Sequence, residues 1–360
     1  MRNQIAGHRR KYRILVPAIA AIFLLLLSVF GIQKAKADKS CACTTYAMGT
    51  CFQQTVCGKN AQAAAKAASR NICRLENQIS WKVKSSDIAR LNQAAGTGEV
   101  AVQPETVALL RLSLQISKRS GGAFDPAVLP LSSLWDFDDN TKKVPSPADI
   151  ANAVPLVRNH GLQVNVSTHT ASLQKAGMGI DLGGIGKGAA CDDVVAAYRS
   201  AGAKSGIVSA GGSSIGLYGK KSDGSPWRIA VRDPATPDSN SDAMGVISLD
   251  SGFVSTSGIY EKCFTQNGVF YHHLLNPATG YPQNNGLVSV TVIADGGALS
   301  DGLSTACFVL GKEKARALLQ SYGAGAVFID RNNKVFVTGN LNGKFEITNS
   351  KYRMASSAGS

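Results

Sequence analysis

The chain is 360 residues long, 44% apolar and 17% charged, a globular composition that excludes disordered, collagen-like and low-complexity architectures. Its formal charge of +14 is unevenly placed, because seven of its 38 Lys and Arg residues and none of its acids fall in residues 1–37. Half of the excess therefore belongs to that segment, and a nucleic-acid reading from charge alone loses half its support.

Five basic residues (Arg2, Arg9, Arg10, Lys11 and Arg13) precede an apolar run from Ile14 to Ile32, and Ala35-Lys36-Ala37 supplies a small-x-small cleavage pattern. This predicts a signal peptide over 1–37, with the mature chain starting at Asp38. The 19-residue run is also just long enough to span a bilayer, so a retained N-terminal membrane anchor is the alternative. Either way the basic flank stays cytoplasmic and the remainder is exported, to the periplasm or the outer face of the inner membrane. The membrane is reached only through this segment.

Five of the eight cysteines (Cys41, Cys43, Cys51, Cys57 and Cys73) cluster near the mature N-terminus. In an exported chain they predict one or two disulfides there. Zinc is the rival, but no Cys-x-x-Cys pair and no nearby histidine supports it.

Apolar spacing then predicts helices over 59–79, 104–120, 147–157, 187–202, 300–310 and 312–322. Strands are predicted over 206–210, 227–231, 245–249, 287–293, 326–329 and 335–338. Helices and strands do not alternate strictly, which argues for an α+β fold over a doubly wound sheet. No repeat or long linker divides residues 38–348, read as one catalytic unit of two intimate lobes. The polar tail, 349–360, is expected to fray.

Three segments carry candidate chemistry. Gly179-Ile180-Asp181-Leu182-Gly183-Gly184-Ile185-Gly186-Lys187-Gly188 leads into a helix, and its glycines let backbone approach an anion at a helix N-terminus. It fits no Walker loop, fits the looser Gly-x-Gly-x-x-Ala pattern, and reads equally as a mere strand–turn–helix corner. Asp301 and Thr305 are i, i+4 on a helix, so a carboxylate and a hydroxyl share one face, a set suited to Mg²⁺. The plain alternative is a helix-start acid with a Thr facing the core. In Tyr271-His272-His273-Leu274-Leu275 the adjacent histidines point to opposite faces if extended, so they do not share a metal, and one of them suits acid–base work. Ser255-Thr256-Ser257-Gly258 is a run of hydroxyls that either cups a phosphate or shapes a turn.

Taken in order, Met48-Gly49-Thr50, Gly122-Ala123-Phe124-Asp125-Pro126, Leu134-Trp135-Asp136-Phe137, Asp181 to Gly188, Ser255 to Gly258, His273-Leu274-Leu275-Asn276-Pro277-Ala278-Thr279-Gly280 and Asp301-Gly302-Leu303-Ser304-Thr305-Ala306 resemble the ApbE family of FAD:protein FMN transferases. The resemblance covers roughly residues 44–345. It implies an exported, Mg²⁺-dependent enzyme with FAD in a cleft between the lobes. FMN would pass to a Thr hydroxyl of an acceptor flavoprotein subunit of a membrane-linked redox complex, with AMP leaving. By the same resemblance Asp301, Thr305 and the Gly186 carbonyl hold the metal. Met48, Ala123, Phe124, Asp125, Gly183, Lys187, Ala189 and Leu275 meet FAD, with Asp181 and Thr256 completing the candidate set. Where the family has a flavin-stacking Tyr this chain has Lys82 with Trp81 beside it, leaving Trp81 or Lys82 to meet the ring. His273, or Asp301, takes the acceptor proton. An FAD pyrophosphatase giving FMN and AMP, and a non-catalytic exported FAD-binding protein, are the alternatives.

Overall fold

A computed structural model describes residues 39–138, 142–157, 161–236 and 242–355. The export segment expected over residues 1–37 lies outside them.

A nine-stranded sheet organises the chain. Its strands are β1 (Ser40–Ala47), β2 (Thr50–Cys57), β3 (Ser205–Ala210), β4 (Ser214–Tyr218), β5 (Gly252–Gly258), β6 (Leu287–Ala294), β7 (Gly325–Asp330), β8 (Lys334–Val337) and β9 (Arg353–Met354). They lie side by side in chain order, and all pairs are antiparallel except β8–β9. Everything else is inserted between these strands. Between β2 and β3 come α1 (Ala61–Ile79), α2 (Asp87–Gln93), α3 (Pro104–Arg119), α4 (Leu129–Trp135), α5 (Pro147–Ala153) and α6 (Gly186–Ser200). Between β6 and β7 come α7 (Gly297–Leu310) and α8 (Lys312–Ser321).

Alternation along the strands sorts the two faces. Phe52, Val56, Val208, Val290, Val292 and Phe328 face a helical layer in which α1 buries Ala61, Ala65, Ala68, Ile72, Leu75 and Ile79 at helical spacing. Val254, Val327, Ile329 and Val335 face the other way, onto a three-stranded sheet of Trp227–Arg232, Ala243–Leu249 and Phe345–Ile347. The described residues from Ser40 onward form one compact unit.

The predicted helices form within a few residues of their expected bounds, and several strands emerge that local pattern did not signal. The cysteine-rich stretch is the β1–β2 hairpin. It turns on Met48-Gly49, both at positive φ (51° and 69°), the two-residue turn whose twist matches that of the strands. The expected disulfides are corrected here: all eight cysteines lie among the described residues, and none is in a disulfide. Register explains why in part, since Cys41 pairs with Val56, Cys43 with Gln54, Cys57 with Ser40 and Cys51 with Tyr46. The tail is also corrected as far as residue 355. Tyr352 is buried and donates its hydroxyl to the buried carboxylate of Asp233, Asn349 Nδ2 donates to the same group at 3.0 Å, and β9 pairs with β8.

His272 ends the two-stranded hairpin of Cys263–Gln266 and Val269–His272, and it is used up by the fold. Its Nε2 lies 3.1 Å from the Gln283 carbonyl, which only accepts, while Nδ1 accepts from Leu274 N–H at 3.3 Å. The ring is thus neutral, and burial, helped by the charge of Arg331, pushes its pKa down to about 4. Between that value and the ordinary 6.5 the unfolded chain binds the proton that the native state refuses, so stability falls as pH falls through this window. Urea unfolding from pH 6.5 to 4 should show wild type losing stability faster than His272→Gln, by up to about 1.4 kcal/mol per pH unit. Equal slopes would assign the ring no such role.

Candidate functional site

The site is built where α6 and α7 cross. A Cβ placed on Gly188 would lie 2.0 Å from the Gly297 carbonyl oxygen and 2.7 Å from Asp301 Cβ, and one placed on Gly297 would lie 2.2 Å from the Gly188 oxygen. The two backbones touch there because neither residue has a side chain. Two polar contacts lock the crossing. Gly188 N–H donates to Asp301 Oδ2 at 2.9 Å, and Asp192, one turn further along α6, accepts from Gly297 and Ala298 N–H at 2.7 and 2.8 Å. Asp192 thereby serves the N-terminus of α7, where a carboxylate satisfies orphan donors and meets the positive end of the helix.

Asp301 lies in the second turn of α7, not at its start, and is buried. Burial pushes its pKa up, against the Lys187 ammonium, the Gly188 N–H and the nearby Ser214 hydroxyl. That hydroxyl is itself buried and meets no partner at hydrogen-bond geometry among the described residues. One turn on, Thr305 Oγ1 is 3.4 Å from Ser257 Oγ and would be 3.5 Å from a Cβ on Gly184, which would also lie 3.3 Å from the Phe124 ring. The carboxylate and hydroxyl predicted to share a face therefore do so under the glycine turn, with Phe124 beside them.

The turn owes its shape to Asp181. Its Oδ1 accepts from Gly183 N–H at 2.8 Å and its Oδ2 from Ser132 of α4 at 2.7 Å, while its own N–H donates to Pro126 O. No strand precedes the turn, and α6 begins at Gly186, so Gly186 and Gly188 are helical. Both the dinucleotide pattern and the strand–turn–helix corner are excluded by this geometry. Asp125, also buried, accepts from Ala127 N–H at 2.9 Å and so shapes the turn that carries Ala123 and Phe124.

The hydroxyl run is a strand, not a turn. Ser255 and Ser257 of β5 reach Ser300 and Ser304 of α7 at 2.9 and 2.7 Å, whereas Thr256 bonds Thr291 on β6 at 2.9 Å. Alternation thus sets Thr256 on the face away from Asp301. Met48 sits at the β1–β2 tip, its N–H held by Glu76 of α1 at 2.6 Å. Trp81 packs against the edge of the main core, with the Lys82 ammonium 5.4 Å from its ring centroid. Ala189 also packs on that core, in the first turn of α6. Leu275 is buried with Trp135 and Leu131 in a separate cluster.

His273 is half-buried beside the turn. Its Nδ1 is 3.3 Å from the Lys262 carbonyl, so that nitrogen carries the proton and Nε2 the lone pair. Desolvation first, then the charges of Lys262 and Lys187, push its pKa down to about 3. Sequence reasoning missed Ser214, Asp192 and Glu76, each of which acts on a partner more than 25 residues away and has no local signature.

Among the described residues no group of three or more His, Cys, Asp or Glu side chains converges. The donors on offer at the crossing are the Asp301 carboxylate, the hydroxyls of Thr305 and Ser214, and backbone carbonyls such as that of Gly186, while Asp192 is taken up by the first amides of α7. This hard oxygen set, around a buried carboxylate with few donors of its own, fits Mg²⁺.

The ApbE family model matches residues 48–328. The FAD:protein FMN transferase of Treponema pallidum (strain Nichols) is 33% identical over 322 residues, 85% of this chain and 88% of that protein. The crystal structure of the ApbE protein of Thermotoga maritima superposes with a TM-score of 0.78 at 31% identity, covering 85% of this chain and 99% of the other. The flavin transferase ApbE of Vibrio cholerae gives 0.76 at 26% identity, with the same coverage.

The crossing makes a sharp contrast between two glycines in one helical turn. Gly188→Ala should destabilise the protein by about 1–3 kcal/mol or prevent folding. Gly186→Ala, whose Cβ would meet only the terminal methyl of Ile79 at 3.3 Å, should fall within about 1 kcal/mol of wild type. Thermal and urea unfolding of both variants checks this.

Proposed function

This chain belongs to the ApbE family, and we propose that it is an FAD:protein FMN transferase that moves FMN from FAD onto a Thr hydroxyl of an acceptor flavoprotein. One observation carries the reading: the 2.9 Å bond from Gly188 N–H to Asp301, which seats a buried carboxylate, and Thr305 one turn beyond it, under the glycine turn.

In the transfer, the acceptor Oγ attacks the phosphorus of the FMN half. The Oγ–P bond forms, the bond from that phosphorus to the bridging oxygen breaks, and AMP leaves with the electron pair. Such a reaction asks a protein mainly for positioning and neutralisation of charge. Asp301, Thr305 and the Gly186 carbonyl are the residues to hold Mg²⁺, which when bound supplies charge neutralisation at the pyrophosphate. Lys187, in the first turn of α6, adds a second cation on the same side. The acceptor proton goes to His273 Nε2, the nitrogen left with a lone pair by the Lys262 carbonyl. In the protein alone desolvation, and after it the charges of Lys262 and Lys187, suppress the basicity of that ring; a pyrophosphate bound among the lysines offsets their part of the effect. Asp301 is the poorer base, since its lone pairs are committed to Gly188 and the metal.

The acceptor class we favour is a flavin-carrying subunit of a membrane-linked redox complex. The reaction is placed outside the cytoplasm on the strength of the export pattern in residues 1–37. No helix among the described residues is long and apolar enough to cross a membrane, so the proposal leaves any membrane attachment to that first segment.

Residues 38–360 incubated with FAD, Mg²⁺ and a protein carrying an acceptor Thr should yield covalent flavin on a denaturing gel and an equal amount of AMP. Free FMN and AMP without labelling would identify a pyrophosphatase, and bound but intact FAD a binding protein. Asp301→Asn should lower turnover on the order of 10²–10³-fold, and chelation of divalent cations should abolish it. Asp301→Ala changing FAD affinity alone would point to a binding protein.

A further inference from the structure

Three segments far apart in sequence converge on the carboxylate of Asp138, and one of them, through Lys262, also reaches His273. Asp138 lies three residues beyond α4, and each of its oxygens takes an ammonium group. Lys82 Nζ, just after α1, is 2.7 Å from Oδ2, and Lys262 Nζ, at the start of the Cys263–His272 hairpin, is 2.6 Å from Oδ1. Burial opposes the charge on Asp138, yet the two ammonium groups outweigh it and hold the carboxyl at about 2. The backbone of Lys262 is the part that reaches the site. Its carbonyl accepts His273 N–H at 3.0 Å and lies 3.3 Å from Nδ1. Lys142 ties down the next residue, its Nζ donating to the Cys263 carbonyl at 3.2 Å.

Exposed ion pairs of this kind add little to stability, because water competes for both partners and ordering long side chains costs entropy. Their effect here is geometric. Without Asp138, Lys262 is anchored through its backbone only, and two like charges are left facing each other. We propose that Asp138 is a positioning residue for the transfer step: by bridging Lys82 to Lys262 it fixes the carbonyl that holds His273 with Nδ1 protonated and Nε2 turned to the substrate. This rests on the reading of His273 as the group that takes the acceptor proton. Asp138 touches neither substrate nor reacting atoms. It acts through Lys262 and then through the ring.

The test uses the full-length chain as wild type, Asp138→Asn and Asp138→Glu. Transfer is measured at saturating FAD and Mg²⁺, and His273 is followed by ¹⁵N-imidazole NMR, assigned by the signals lost in His273→Gln. A misplaced base predicts a kcat for Asp138→Asn lower by about 10- to 100-fold. The KM for FAD should change less than kcat does, since of the groups proposed to meet FAD only Lys82 loses a partner. The His273 signals should move from a single Nδ1–H tautomer to a mixture, and Asp138→Glu should recover most of both. An unchanged kcat and tautomer in Asp138→Asn overturns the proposal, as does a loss of kcat that merely follows a fall in Tm or a rise in KM alone. If wild type itself transfers no flavin, the reading of the reaction falls, while the tautomer comparison still decides whether Asp138 orients the ring.

Discussion

Two helices bring their backbones into contact only where neither carries a side chain, and the candidate site exists because α6 and α7 do this at Gly188 and Gly297. The contact sets the distance at which Gly188 N–H meets Asp301 and at which Asp192 meets the first amides of α7. It also brings the glycine turn over Thr305. A wider crossing would leave Asp301 buried without its donor, and such a carboxyl takes up a proton in place of binding a cation. Packing and chemistry therefore share one set of atoms, and the small residues of the Asp181–Gly188 stretch answer to both.

What could be read from the sequence follows from how local each cause is. α1 and α3 were legible because alanines, valines and leucines recur at helical spacing and Pro104 marks a start. Asp301 and Thr305 were legible as a pair because i, i+4 geometry belongs to any helix. Their surroundings were not. The Gly188 donor lies 113 residues from Asp301, and Ser257 lies 48 from Thr305. The hydroxyl run Ser255–Ser257 looked like a turn because its partners, Ser300 and Ser304, lie on another element. Once paired, those hydroxyls let a polar segment serve as a buried strand. The ApbE resemblance rests on the order of short blocks, and it carried the fold further than periodicity did.

The histidine pair shows how one dipeptide divides labour. On extended chain the two rings diverge. His272 turns inward, spends both nitrogens on backbone and sets the local turn. His273 turns toward Lys187 and spends one nitrogen on the Lys262 carbonyl, keeping a lone pair. Desolvation keeps both neutral, but one ring completes the fold while the other keeps an uncommitted nitrogen in a field of lysines.

The order of the main sheet has a consequence for how the chain is made. β2 pairs with β3 across residues 58–204, so the inner edge of the β1–β2 hairpin has no neighbour in a folding chain until Ser205–Ala210 arrives. Closing so long a loop is slow beside forming a hairpin and leaves an interval between the two. Throughout it an uncharged hairpin carrying Cys41, Cys43, Cys51 and Cys57 stands open along an edge that later becomes interior. The thiols that stay outside any disulfide in the finished fold are thus the ones most available to wrong partners before it closes. In biogenesis, the vulnerable moment of this protein comes early and at its N-terminal edge.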